Sequence, residues 1–155
     1  MFATFQPRGN TIHVKLGKRP TSESDFNSFM ADWLACYHRK HTDSFIFIID
    51  ARELAWYVWD FRYLIQLQSF LKDLQRSHAA FPETYGRLER CYIASASSYT
   101  YWIVQLLCAY QPPLAPVYMV EHPQRAQDIE ALRALGLPIN CVTAPDVFRV
   151  SGHET

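Results

Sequence analysis

The amino-acid sequence predicts a single α/β domain built on a mostly parallel sheet of four to five strands. Three observations carry that expectation. Segments of strand length alternate with segments of helical periodicity, an order that makes parallel sheets with right-handed crossovers. The run Phe45-Ile46-Phe47-Ile48-Ile49 is continuously apolar, as a strand covered on both faces requires. The length of 155 residues suits one domain with one core.

Each element has a local reason. Ile12, Val14 and Leu16 alternate with His13 and Lys15, the period of a strand with one buried face. Pro7-Arg8-Gly9-Asn10 before it reads as a turn, with Phe2 to Phe5 as an earlier paired strand. Ser22 with Asp25 three residues on resembles a capping box. Phe26, Phe29, Met30, Trp33, Leu34 and Tyr37 then follow at helical spacing, and His38-Arg39-Lys40-His41 closes the helix with cations. Asp50 ends the strand Phe45–Ile49, and Asp60 is placed to cap a second helix. The core face of that helix is expected at Phe61, Leu64, Ile65, Leu71 and Leu74, widened by Tyr63, Leu67 and Phe70. Phe81-Pro82-Glu83 breaks it. Cys91-Tyr92-Ile93-Ala94 reads as a strand, Trp102 to Tyr110 as a third helix stopped by Pro112-Pro113, and Val117 to Val120 as another buried strand. A fourth helix opens at Pro123 and ends at Gly136 and Pro138. Ile139 to Val142 adds a last strand, and residues 151–155 form a flexible tail beyond a domain of residues 1–150.

Composition excludes several classes. Fifteen basic residues balance fifteen acidic ones, which disfavours a dedicated nucleic-acid binder. Hydrophobic residues make up 49% and aromatics 15%, which disfavours disorder. Cys36, Cys91, Cys108 and Cys141 lie singly in apolar stretches, as buried, reduced cysteines do, and no close ligand pairs suggest a metal. No cofactor is expected. The N-terminus lacks the pattern of a secretory signal and no apolar run is long enough to span a bilayer, so a cytoplasmic protein is expected.

The segment order resembles a known family. The strand Ile12–Leu16, a capped helix, then "SFIFIIDAREL" (Ser44–Leu54) and a second helix look like a STAS domain, the small domain of anti-sigma-factor antagonists and of anion-transporter tails. STAS antagonists carry a phosphorylatable Ser at the start of the second helix. The corresponding stretch here, Trp56-Tyr57-Val58-Trp59-Asp60, has neither Ser nor Thr. A second resemblance overlaps the first. "FPETYGRLERCYIASAS" (Phe81–Ser97), an aromatic helix and "APVYMVE" (Ala115–Glu121) are similar to the second half of CRAL-TRIO lipid-binding domains. The first resemblance implies a regulatory protein-interaction module, and the second implies a pocket for a lipid or small apolar ligand.

Candidate site residues gather where parallel sheets bind ligands, at the carboxyl ends of the strands. Trp56, Tyr57, Val58 and Trp59 are consecutive, and one packed face does not absorb four large side chains from a loop. With Arg52 they are candidates for an interaction surface, and the alternative is a staple for the second helix. Ser95, Ser97 and Ser98 open a helix and either hold an anion with Arg52 or serve as a cap. Asp50 and His122 complete the candidate ligand-binding set. Asp50, Glu121 and His122 also suggest a third reading, an acid–imidazole enzyme, although no nucleophile motif accompanies them. The leading expectation is a non-catalytic interaction domain with an unidentified protein partner. That partner includes a second copy of the chain, paired through an edge strand such as Ile12–Leu16.

Overall fold

The structure, a computed structural model, describes residues 1–39, 44–95, 98–121, 139–141 and 147–150. Its strands are β1 (Ala3–Arg8), β2 (Thr11–Leu16), β3 (Phe45–Asp50), β4 (Leu88–Ser95), β5 (Val117–Glu121), β6 (Ile139–Cys141) and β7 (Val147–Val150). Its helices are α1 (Glu23–Tyr37), α2 (Phe61–Ala80), the single turn α3 (Pro82–Tyr85) and α4 (Ser98–Tyr110). The α/β class therefore holds. The sheet is larger than expected and mixed: seven strands in the order β1-β2-β3-β4-β5-β7-β6. Neighbours from β2 through β5 to β7 run parallel, while β1 and β6 are antiparallel to their neighbours at the two edges. Strand β2 is thus internal, because the hairpin places β1 outside it, and the edge expected at Ile12–Leu16 belongs to β1. The expected helix from Pro123 and the tail lie outside the described residues.

The sequence explains the hairpin and the helix ends. Gly9 takes φ +63°, the left-handed conformation that a tight two-residue turn between β1 and β2 needs. Pro7 lies inside β1, where an edge strand tolerates its missing N–H. Ser22 caps α1 by accepting from the Asp25 amide at 3.0 Å. The Asp25 carboxylate turns outward from the helix and accepts from the amides of Phe2 (2.8 Å) and Thr21 (3.1 Å) and from the Thr21 hydroxyl (2.9 Å). It thereby ties β1 to the start of α1. Asp60 caps α2 by accepting from the Arg62 amide. After α3, a side chain at Gly86 would meet the Pro82 carbonyl at 2.5 Å, so the chain turns into β4 only with glycine there.

The strand order sets where the helices lie. Each step β2→β3→β4→β5 moves one place in the same direction, and right-handed crossovers then put every connecting helix on one face. The packing agrees. Cys36 and Tyr37 of α1, Phe70 and Leu74 of α2, and Tyr101 of α4 share one cluster with Ile12, Val14, Phe45, Phe47, Cys91, Val117 and Met119. A second cluster at the carboxyl end joins Phe2, Phe26, Phe29, Leu54, Trp56, Tyr63 and Leu67. The opposite face of the sheet buries Ile46, Ile48, Tyr92, Ala94 and Val120, with Tyr92 stacked on Tyr118 at 5.1 Å. Phe45, Phe47 and Ile49 therefore face the helices, while Ile46 and Ile48 face away from them.

The phase of α2 differs from the expected one. Its buried stripe is Tyr63, Leu67, Phe70 and Leu74, while Phe61 and Ile65 point to solvent. Tyr63 packs on Phe26 (5.0 Å) and Phe70 on Trp33 (5.1 Å), so contacts with α1 select this stripe over an equally apolar neighbour.

Candidate functional site

The loop after β3 contains a forked ion pair. Arg52 donates from Nε to Asp50 Oδ1 and from Nη2 to Oδ2, both at 2.8 Å, and its amide adds a third bond at 3.2 Å. This forked, charge-assisted pair holds the Asp50 carboxyl below its ordinary pKa, with Arg52 hydrogen bonding the largest cause. A carboxylate so held is a poor proton donor, and an arginine so engaged is a poor free anion anchor. Asp50 is also aligned with Ala94 and Lys15, on the sheet face turned away from the helices. Ser95, one residue beyond Ala94, alternates to the helical face and is buried. The expected convergence of Asp50 with Ser95 is therefore not formed. Glu121 stands opposite Ser95 in the ladder. Ser97 and His122 lie outside the described residues, as does the side chain of Ser98.

The aromatic loop folds inward. Residues Trp56–Val58 make one turn of 3-10 helix, in which side chains three apart eclipse. Trp56 and Trp59 accordingly pack against each other, ring centroids 4.8 Å apart and tilted by 33°, while Tyr57 is exposed. Trp56 is only 8% exposed, and Tyr57 is 78% exposed. Trp59 is half-buried: its ring stands edge-on to Phe2 at 5.2 Å, and its indole donates to the Lys18 carbonyl at 3.2 Å. Of the residues expected to form an interaction surface, Trp56 and Trp59 are thus packed, Arg52 is paired with Asp50, and Tyr57 alone is presented to solvent. The staple alternative describes the two tryptophans.

Two features not visible in the sequence emerge instead. The first is a cavity of about 180 Å³ between the sheet and the helical layer. Phe47, Ile49, Cys91 and Ile93 form its floor, Trp33, Leu67 and Leu71 its roof, and Trp56, Val104 and Cys108 its sides. Only two unpartnered, buried polar atoms belong to its lining among the described residues: Trp56 Nε1 and Gln111 Oε1. Burial pushes the Cys91 thiol far above its usual pKa. No alternation or motif signals such a cavity, because its walls come from strands β1 to β5, helices α1, α2 and α4 and the loops between them.

The second feature is the outer side of the helical layer. Phe61 and Ile65 lie four residues apart at the start of α2, with Phe61 71% exposed, and Tyr57 is exposed in the 3-10 turn before it. Tyr99, Trp102, Leu106 and Tyr110 recur three or four apart along α4, with Trp102 61% exposed. Both helices begin at the carboxyl edge of neighbouring strands, so their apolar stripes start at one end of the layer.

Among the described residues, no helix is long and apolar enough to cross a membrane, and no group of three His, Cys, Asp or Glu is placed to hold a metal ion. The fold and site define an α/β domain whose helices, among the described residues, lie on one face of an open mixed sheet. Comparison with known proteins returns no matching family model, no matching curated protein and no matching solved structure.

Proposed function

We propose that the chain is a non-catalytic interaction domain of STAS type that engages a protein partner through the outer face of α2 and α4. The carrying observation is the apolar surface of Tyr57, Phe61, Ile65, Tyr99, Trp102, Leu106 and Tyr110. Isolated exposed apolar side chains are ordinary, whereas two helical stripes rich in Tyr, Phe and Trp have the composition of interface anchors. The STAS resemblance supports the same place, since the start of the second helix is where those antagonists are phosphorylated. Here that place carries Tyr57 and Phe61 in a chain segment without Ser or Thr, so recognition there is constitutive and apolar rather than switched by phosphate. The committed state of Asp50 and Arg52 argues against acid–base catalysis in the loop.

The test compares the wild-type chain with a Phe61→Ser/Trp102→Ser variant. Quantitative affinity capture from the native cell is followed by titration of each purified captured protein, and sedimentation velocity reports self-association. A partner, or a second copy, whose binding weakens by tenfold or more in the variant supports the reading. Equal binding by both forms, with matching far-UV spectra, rejects it.

A further inference from the structure

We propose that the cavity between the sheet and the helices is a binding site for a small, neutral, largely apolar molecule carrying one hydrogen-bond acceptor, which takes the indole N–H of Trp56. This site is separate from the outer helical surface and does not depend on it.

Size is the first argument. An engineered apolar cavity of about 150 Å³ stays dry and binds benzene, and the volume here is about 180 Å³. The occupant is therefore of the one-ring to two-ring class. Wall chemistry is the second argument. Among the described residues no Asp, Glu, Lys, Arg or His lines the cavity, so a charged ligand would be desolvated without a counter-charge from them. The orphaned donor is the third. Trp56 is more than nine-tenths buried, lines the cavity, and has no acceptor for its Nε1 among the described residues. The other indoles of the aromatic cluster are satisfied: Trp33 donates to the Tyr37 hydroxyl and Trp59 to the Lys18 carbonyl. A buried donor without a partner is uncommon in folded proteins, and a ligand carbonyl or ether oxygen supplies what the protein does not. Gln111, just after α4, is a second lining residue with a buried, unpartnered polar atom.

The experiment uses two probes of similar shape, acetophenone with a carbonyl acceptor and cumene without one, on the full chain. Saturable one-to-one quenching of tryptophan fluorescence by both is expected, with a rise in melting temperature. In proton–nitrogen correlation spectra, the Trp56 indole signal should move downfield with acetophenone and not with cumene. Trp56→Phe keeps an aromatic ring and removes the donor. It should weaken acetophenone about five- to tenfold, the size of one net hydrogen bond, and leave cumene unchanged. Val104→Phe fills the cavity and should abolish both. Failure of either probe to saturate the wild-type chain overturns the site. Binding of both probes with no Trp56 indole shift overturns the acceptor, and that readout stands even if Trp56→Phe does not fold. Unchanged binding in a folded Val104→Phe places the probes elsewhere and likewise overturns the proposal.

Discussion

The indole of Trp56 lies against that of Trp59, ring centroids 4.8 Å apart, and between them in sequence Tyr57 faces the solvent. Three neighbouring aromatic residues thus divide into two that hold the carboxyl end of the core and one that does not. Replacement should separate them. Trp56→Ala is expected to cost about 3–5 kcal/mol, as for other buried large-to-small aromatic changes. Tyr57→Ala should stay within about 0.5 kcal/mol, as surface changes do. Urea denaturation of both variants checks this, and comparable losses in the two would contradict the assignment of sides.

Ile48 is 1% exposed at the centre of the sheet face turned away from the helices. Ile48→Ala should destabilise the domain by about 2–5 kcal/mol. A loss near zero in chemical denaturation would mean that this face is not a packed one.

Two carboxylates make stability depend on acid. Arg52 hydrogen bonding lowers the pKa of Asp50. At Asp25 burial acts upward, but the hydrogen bonds from Phe2 and Thr21 outweigh it and the net shift is also down. Folded pKa values below the unfolded value of about 3.9 give stability that is fully present above that pH and is lost as pH falls through the folded values. The melting temperature should therefore be insensitive to these groups from pH 5 to 7 and fall below about pH 4. Asp50→Asn should flatten part of that acid limb. An unchanged acid limb in Asp50→Asn would show that the Arg52 pair contributes no linkage.

Burial pushes the Cys36 thiol up to about 12 and Cys91 still higher. Thiolate is the reactive form, so both should resist iodoacetamide at pH 8 in the native state and react after unfolding. Peptide mapping by mass spectrometry reads this directly, and rapid native alkylation of Cys91 would be incompatible with its position in the core.

Much of this fold is legible in the sequence where the determinants are local. Ser22 and Asp25 announce α1, Asp60 announces α2, and Phe45–Ile49 announces a doubly covered strand. The outcome differs where distant segments decide. The phase of α2 follows from Phe26 and Trp33, which lie more than thirty residues away. The aromatic loop packs Trp56 and Trp59 because Phe2, Phe26 and Tyr63 arrive from other parts of the chain to receive them, while Tyr57 stays in solvent. One signal was present: tryptophans three apart are what a single 3-10 turn places on one side. Strand β7 gives almost none, since Val147–Val150 is four residues long and Arg149 interrupts its apolar character.

The one-directional order β1-β2-β3-β4-β5 has a consequence for how the chain reaches this state. Each of these strands pairs with the one made just before it, so every addition docks on an edge already built. Only the β1–β2 hairpin is a local pairing; each parallel pair closes over one helical crossover, and the order lets the sheet grow outward from the N-terminal hairpin during synthesis. The pattern ends at β5, because β7 sits between β5 and β6 although β6 comes first. The last two strands therefore close the sheet as an antiparallel pair, joining through β7. Pulsed hydrogen exchange during refolding should show protection in β1–β3 before β7, and protection of β7 first would exclude this order of assembly.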